Sequence, residues 1–327
     1  MILAADVGGT KTNLALFTVR AGRMERDAAG SFPSREFPSF ESIIEKFLAG
    51  RGPVDLVCAG VAGPVMKGQS RLTNLPWVVD EESIRRACGA RRGFLINDLQ
   101  ATAFAVLHLP PALFAVLQAG EADPRGTIAV VAAGTGLGVG YLVRCGRGYL
   151  PFASEGGHAG FSPRDGREEK LLAFLKGLYG RTSAERVVSG PGLHAIYRFL
   201  REVEGIPVTS DVEARILAGD PPRVVAEEGV SGRSQVCGEA LRFFASLYGS
   251  LSGDLALNFN ATGGVVLGGG IAPAILPFLS EGTFIESFVA KGRFHDFLSG
   301  IPVKVILDDQ AALLGAAHFA LEMAGEA

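Results

Sequence analysis

The sequence predicts an α/β protein made of two copies of one fold, each a mostly parallel sheet with helices on both faces. Three observations carry this. Residues 1–17 set two apolar runs either side of a polar turn, Gly8-Gly9-Thr10, which is a β-hairpin signature. Residues 127–143 repeat the arrangement around Gly134-Thr135-Gly136, and repetition of that kind marks a duplicated domain. After each hairpin, strand-length apolar runs alternate with stretches of helical periodicity.

Length and composition agree. The 327 residues suffice for two domains of ordinary size, each with its own core. Hydrophobic residues make up 48% and charged residues 20%, which excludes a disordered chain. The net charge of −3 and the lack of any basic run leave no field for nucleic acid. Apolar stretches are strand-length or broken by Gly and Pro, so no membrane span is expected. The chain enters its first strand without a leader pattern. Cys58, Cys88, Cys145 and Cys237 lie far apart, in neither CxxC nor zinc spacing. These features point to a reducing, cytoplasmic setting.

In chain order, residues 21–37 read as a polar surface strand and loop. Ser42 and Glu45 fit a capping box for a helix whose inner face is Ile43, Ile44, Phe47 and Leu48. Residues 54–59 are a buried strand running into a Gly60–Pro64 loop, and residues 74–77 are a second loop. Asp80, Glu81 and Glu82 open a helix that Gly89 stops. Residues 94–96 are a strand leading straight into Asn97-Asp98, and residues 99–107 are a helix ended by Pro110-Pro111. In the second half, residues 152–163 are a glycine-rich loop and residues 168–178 a helix. Leu193, Ile196, Tyr197 and Leu200 make another helix face, and residues 233–251 a long helix. Residues 263–270 are a glycine-bounded strand, followed by a helix at 272–279, a strand at 301–307 and a last helix at 309–322.

Polar residues at strand ends carry the chemistry. N–H groups of Gly8, Gly9 and Thr10 can point at an oxyanion, and the glycines admit it closely. On this reading Gly9→Val blocks a nucleotide and spares a second substrate. Asp6, just before the turn, could hold a metal ion through water, the sparse carboxylate ligation that Mg²⁺ prefers. Two Gly/Thr hairpins facing each other would clamp the phosphates of one nucleotide. Asp98 ends a strand, where ligands bind in open α/β sheets. From the residues alone it reads equally as a general base or a helix N-cap. His158 lies three residues after Glu155 in the glycine-rich loop, a setting that favours a ligand role. His108, His194, His295 and His318 lie in ordinary amphipathic stretches. The sequence has no P-loop motif, and Gly134-x-Gly136-x-Gly138 does not match the dinucleotide pattern.

Taken in order, D-V-G-G-T-K-T-N-L-A-L, N-L-P-W, I-N-D-L-Q-A-T-A-F-A, G-T-G-L-G-V-G, E-G-G-H, S-A-E-R-V-V-S-G-P-G-L, G-G-V-V-L-G-G-G-I and A-A-L-L-G-A-A resemble bacterial glucokinase over nearly the whole chain. The resemblance implies the duplicated ribonuclease-H-like fold of the actin-like ATPases, with two domains and a cleft between them. Residues 1–109 with 308–327 would form the smaller domain, completed by the last helix through its small-residue face, and residues 110–307 the larger. Closure on glucose is expected about the crossings near Leu109 and Leu307. The implied reaction is ATP-dependent phosphorylation of glucose at its 6-hydroxyl, with Mg²⁺ accompanying ATP, in a cytoplasmic homodimer. Asp98 would be the general base. Asn97, Glu155, His158 and Glu185 match sugar-contacting positions, and Asn74 could contact the sugar too. Asp6, Gly8, Gly9, Thr10, Lys11, Gly134, Thr135 and Gly136 would serve the phosphates and their metal, and Gly268, Gly269 and Gly270 the adenosine.

Two positions depart from the pattern. Lys11 stands where glucokinases usually have Asn, as in the related repressor/kinase group, but that group's cysteine-rich motif is absent from residues 161–180, so zinc is not expected. Gln100 stands where many glucokinases have Glu, and it is read as lying behind the contact residues. Other readings are a kinase of another hexose or amino sugar, a sugar-responsive regulator, and a chaperone-like ATPase. A regulator needs a DNA-binding domain, whereas Met1 enters the core strand directly; a sugar pocket argues against a bare ATPase.

Overall fold

The structure is a computed structural model that describes residues 1–325 apart from Thr73 and Arg147. The chain divides into two compact units. The first comprises Met1–Pro111, Cys145–Ala153 and the segment from Asp308 onward. Its elements are β1 (Ile2–Val7), β2 (Lys11–Arg20), β3 (Arg23–Pro33), α1 (Phe40–Leu48), β4 (Leu56–Val61), β5 (Gln69–Arg71), β6 (Val78–Asp80), α2 (Glu81–Cys88), β7 (Arg92–Asn97) and α3 (Asp98–Ala105). The main sheet runs β3-β2-β1-β4-β7. β1 pairs antiparallel with β2 and parallel with β4, with Asp6 opposite Asn13 on one side and Gly60 on the other. β4 continues parallel to β7, with Val61 opposite Asn97. Asp6 and Asn97 therefore come to the carboxyl end of the parallel strands by register alone.

The second unit comprises Ala112–Arg144 and Ser154–Leu307. Its strands begin with β8 (Phe114–Gln118), β9 (Ile128–Ala133), β10 (Leu137–Cys145) and β11 (Gly148–Ser154), whose hairpin tip groups with the first unit. Helices α4 (Gly166–Tyr179), α5 (Gly190–Glu202), α6 (Ser210–Ala218), α7 (Pro221–Val230) and α8 (Gln235–Asn258) follow. Then come β12 (Gly264–Gly268), α9 (Ile271–Ala274), α10 (Leu276–Ser280), α11 (Thr283–Val289), α12 (His295–Ser299) and β13 (Val303–Ile306). The sheet runs β11-β10-β9-β12-β13-β8. Omitting β8, this is the order of the first sheet: an antiparallel meander of three strands, then two parallel strands. The duplication read from the two Gly/Thr turns is thus a duplication of topology.

Four expectations need correction. The sheets are mixed, not mostly parallel, because each copy opens with three strands joined by short turns, and such turns allow only antiparallel pairing. The cap of α1 is Ser39, whose hydroxyl accepts from the Ser42 N–H; Ser42 lies one turn inside, and the buried Phe40 fixes that start. Residues 272–279 form two short helices, because Pro277 starts a new helix after Ile275 leaves helical geometry. The long helix begins at Gln235 behind a Ser234 cap and runs on to Asn258.

The last helix, α13 (Ala311–Met323), packs against α3 in the first unit. The approach is close enough that a Cβ at Gly315 would lie 1.8 Å from the Ala101 carbonyl oxygen. Phe319 meets Phe94 and Phe104 edge to face at 6.1 and 5.6 Å. His318 stacks on His108 with centroids 3.6 Å apart, and burial beside that neighbour pushes its pKa down to about 4. Small residues and aromatic contacts here clamp the helix whose first residue is Asp98.

Candidate active site

The Gly8-Gly9-Thr10 turn is braced from behind by one residue that no motif announces. Ser34 is fully buried; its N–H donates to the Thr10 carbonyl at 3.0 Å and its hydroxyl to the Gly8 carbonyl at 2.8 Å. The Thr12 hydroxyl lies 2.9 Å from the same oxygen. With Gly8 N–H donating to the Lys11 carbonyl at 3.0 Å, the turn's acceptors on this side are engaged. Lys11 is exposed at the start of β2, and its charge offsets part of the burial that raises the pKa of Asp6. A Cβ at Gly9 would come 2.7 Å from that of Asn74, an exposed loop residue. Gly9→Val would therefore displace Asn74 as well.

Asp98 is the first residue of α3, and the N-cap is Asn97, not Asp98. The Asn97 side-chain oxygen accepts from the Leu99 N–H at 2.9 Å, and its amide donates to the Gly63 carbonyl at 3.1 Å. Gln100 completes a capping box, accepting from the Asn97 N–H at 3.0 Å. The capping work thus falls to Asn97 and Gln100. The Asp98 carboxylate accepts from the Leu99 N–H at 2.8 Å, and hydrogen bonds from its own N–H and from the Asn97 side chain also favour its charged form. Burial, helped by the Asp6 carboxylate, pushes its pKa up to about 6. Asp6 is itself raised, chiefly by burial, against a weak hydrogen bond from Asn13 at 3.4 Å.

In the second unit, Glu155, His158 and Glu185 gather around the imidazole. His158 Nε2 lies 3.7 Å from Glu155 and Nδ1 3.9 Å from Glu185. Glu155 and His158 are exposed, on a 3-10 turn at Gly156–His158 that packs so tightly on β10 that a Cβ at Gly157 would lie 2.1 Å from the Leu137 carbonyl. Glu185 is anchored from the Gly/Thr turn: it accepts from the Leu137 N–H at 3.0 Å, and a Cβ at Gly136 would meet it at 2.7 Å.

A cavity of 1130 Å³ opens in the same unit, lined by Gly134, Thr135, Gly190, Pro222, Gly270 and Ile271 among others, and it is mainly apolar. Gly134 and Gly270 have open space where a Cβ would point. Gly268 and Gly269 do not line it. Gly268 is buried inside β12, and Gly269, at φ +78°, backs onto the Ala133 carbonyl, where a Cβ would lie 2.3 Å away. Pro221, Pro222 and Arg223 of α7 also line this cavity, and the sequence signal for that helix is Asp220 followed by a Pro pair at the first helical positions.

Among the described residues no group of three His, Cys, Asp or Glu could hold a metal ion on its own. Among them, too, no helix is long and apolar enough to cross a membrane.

The glucokinase family model matches residues 3–323. Glucokinase from Nostoc sp. is 37% identical over 335 residues, which cover 97% of this chain and 98% of that protein. The crystal structure of glucokinase from an Antarctic psychrotroph superposes with a TM-score of 0.84 at 32% identity, covering 98% of each chain. A ROK-family glucokinase from Streptomyces griseus, solved with glucose and AMPPNP, shares the fold at a TM-score of 0.64 and 20% identity, covering 98% of this chain and 99% of its own. With both sheets in one order, and relatives matched from end to end, the chain belongs to the glucokinase family.

Proposed function

We propose that Asp98 is the general base of this glucokinase and that the residues gathered above divide its two substrates between them. The activity follows from the family: ATP-dependent phosphorylation of glucose by a hexokinase-type phosphotransferase. The observation that carries the residue assignment is the place of Asp98, half-buried just past the carboxyl end of β7 with Asn97 as the helix cap, where burial pushes its pKa up to about 6. A carboxylate of that pKa is ionised at neutral pH and still basic enough to matter. It would take the proton of the glucose 6-hydroxyl as that oxygen bonds to the γ-phosphorus and the bond to the β-phosphate oxygen breaks, releasing ADP.

Glu155, His158 and Glu185 would read the ring hydroxyls, since carboxylates and an imidazole can each accept or donate to neighbouring hydroxyls. Asn97, whose amide donates to the Gly63 carbonyl, would do the same. Asn74 would join them. Gly8, Gly9 and Thr10, with Lys11, would hold the β- and γ-phosphates. Gly134, Thr135 and Gly136 would serve them from the second copy, and Gly270 the adenosine. Mg²⁺ suits the oxygen donors here: two partly buried carboxylates, Asp6 and Asp98, each hold a raised pKa that a cation would relieve. Asp6 would hold the ion, which neutralises phosphate charge when bound. We extend the proposal to a cytoplasmic homodimer; four free cysteines support the reducing setting and the resemblance supports the dimer.

A coupled assay of the purified protein with ATP and Mg²⁺ against glucose, mannose, glucosamine and fructose tests the reading. Glucose should give the highest kcat/KM, activity should require Mg²⁺, and chelation of zinc should change nothing. A faster turnover of another sugar, or stoichiometric tightly held zinc, would overturn it. Light scattering tests the dimer.

A further inference from the structure

Gln100 makes two hydrogen bonds of opposite sense. Its Oε1 accepts from the Asn97 N–H at 3.0 Å, and its Nε2 donates to the Pro151 carbonyl at 3.0 Å. The first bond sits at the start of α3, where the Asn97 N–H has no helical carbonyl to reach. The second ends on β11, four residues ahead of Glu155 in the chain. Asn97, in turn, is pinned to Gly63 and to Leu99. The first turn of α3 is thereby tied to the loop after β4 and to β11, and the direction of the Asp98 carboxylate follows from that backbone.

A primary amide does both at once, with its oxygen as acceptor and its nitrogen as donor. A carboxylate would accept from Asn97 but has no proton for Pro151, and proline has no N–H with which to reverse the roles. We infer that Gln100 is a positioning residue with two separable effects: its oxygen sets Asp98, and its nitrogen sets the strand that leads into the Glu155–His158 loop. This rests on Asp98 acting as the base and on that loop reading the sugar.

The test is steady-state kinetics of Gln100→Glu and Gln100→Met beside the parent enzyme, with thermal melts. The added charge of Gln100→Glu raises the Asp98 pKa further, so the assay is run near pH 8, about two units above it. Gln100→Glu keeps the capping bond and loses the bond to Pro151. Its KM for glucose should rise about tenfold with kcat within about twofold, the scale of one hydrogen bond. Gln100→Met loses both, and its kcat should also fall about tenfold. Melting shifts with both constants unchanged would overturn the inference, as would Gln100→Glu losing kcat as far as Gln100→Met. If Gln100→Met fails to fold, Gln100→Glu decides alone. Asp98→Asn keeps the two questions apart: retained turnover there would sink the base assignment, whatever Gln100 does.

Discussion

Replacing Asp98 by Asn separates two effects that one carboxylate combines. Folding raises its pKa from the ordinary 3.8 to about 6. At about 1.4 kcal/mol per unit, the ionised side chain destabilises the fold by about 3 kcal/mol at neutral pH. The sign follows from proton binding. Between the two pKa values the folded chain holds the proton and the unfolded chain does not, so stability falls as pH rises through that window and stays lower above it. Charge at the first position of α3 gains about 0.3–1 kcal/mol from the helix dipole, which Asn gives up. The Leu99 N–H keeps an acceptor, because the Asn side-chain oxygen can replace the carboxylate at that bond. Asp98→Asn should thus be about 2 kcal/mol more stable than the parent at about pH 7.5, and the difference should shrink as pH falls toward about 4. That corresponds to a melting temperature about 4–8 °C higher for a unit of this size. Turnover should drop by about two to four orders of magnitude, the range for losing a general base. The parent's own kcat/KM should show an acid limb with a midpoint of about 6. Calorimetry and the coupled assay on one preparation give both readouts. A variant less stable than the parent at neutral pH, or one holding more than about a tenth of its turnover, refutes the reasoning.

Three further changes probe the supports. Ser34→Ala keeps the N–H bond to Thr10 and removes the hydroxyl from Gly8 and Thr12, so stability should fall by about 1–3 kcal/mol and KM for ATP should rise more than KM for glucose; equal KM changes would show a merely structural role. Gly270→Val puts a side chain into open cavity space at ordinary φ, so ATP affinity by calorimetry should fall at least about tenfold with melting little changed; unchanged ATP affinity would remove the cavity from the nucleotide site. Gly315→Ala drives a methyl into the Ala101 carbonyl and should cost about 1–3 kcal/mol or more in chemical denaturation; a neutral result would mean that α13 can slide on α3.

What the sequence disclosed was local. The two Gly/Thr hairpins are legible because apolar runs and turn residues adjoin in the chain, and β7 into α3 because Phe94–Ile96 meets Asn97-Asp98 directly. The helix at Asp80 was legible from its cap, acidic first turn and Gly89, which does sit at φ +63°. Caps that need tertiary information were not. Ser39 and Ser42 are three residues apart and either could cap α1; only the burial of Phe40 decides. α6 and α7 bury few apolar side chains, Val212 and Ile216 in one and Val224 and Val225 in the other, among exposed charges, so their periodicity is faint. Ser34 carries no local signal, because the Gly8 carbonyl lies 26 residues away; for Gln100 the Asn97 capping-box spacing is local, but the bond to Pro151, 51 residues away, is not.

The two copies of the fold brace their Gly/Thr turns with different residues. A turn exposes carbonyl oxygens as well as N–H groups, and buried ones need partners. In the first copy the Gly8 and Thr10 carbonyls both turn back to Ser34. In the second the Gly134 carbonyl accepts from the Gly190 N–H at 2.8 Å, at the start of α5, and the Gly136 carbonyl from the Gly134 N–H at 2.9 Å. The donors differ, a serine after β3 in one copy and a helix start in the other, so no shared motif marks them. The outcome is common: two of the three carbonyls of each turn are engaged, as is the first N–H, that of Gly8 or Gly134. Topology was duplicated along with the turn, whereas the braces behind it were found separately, which is why the turns can be read from the sequence and their supports only from the structure.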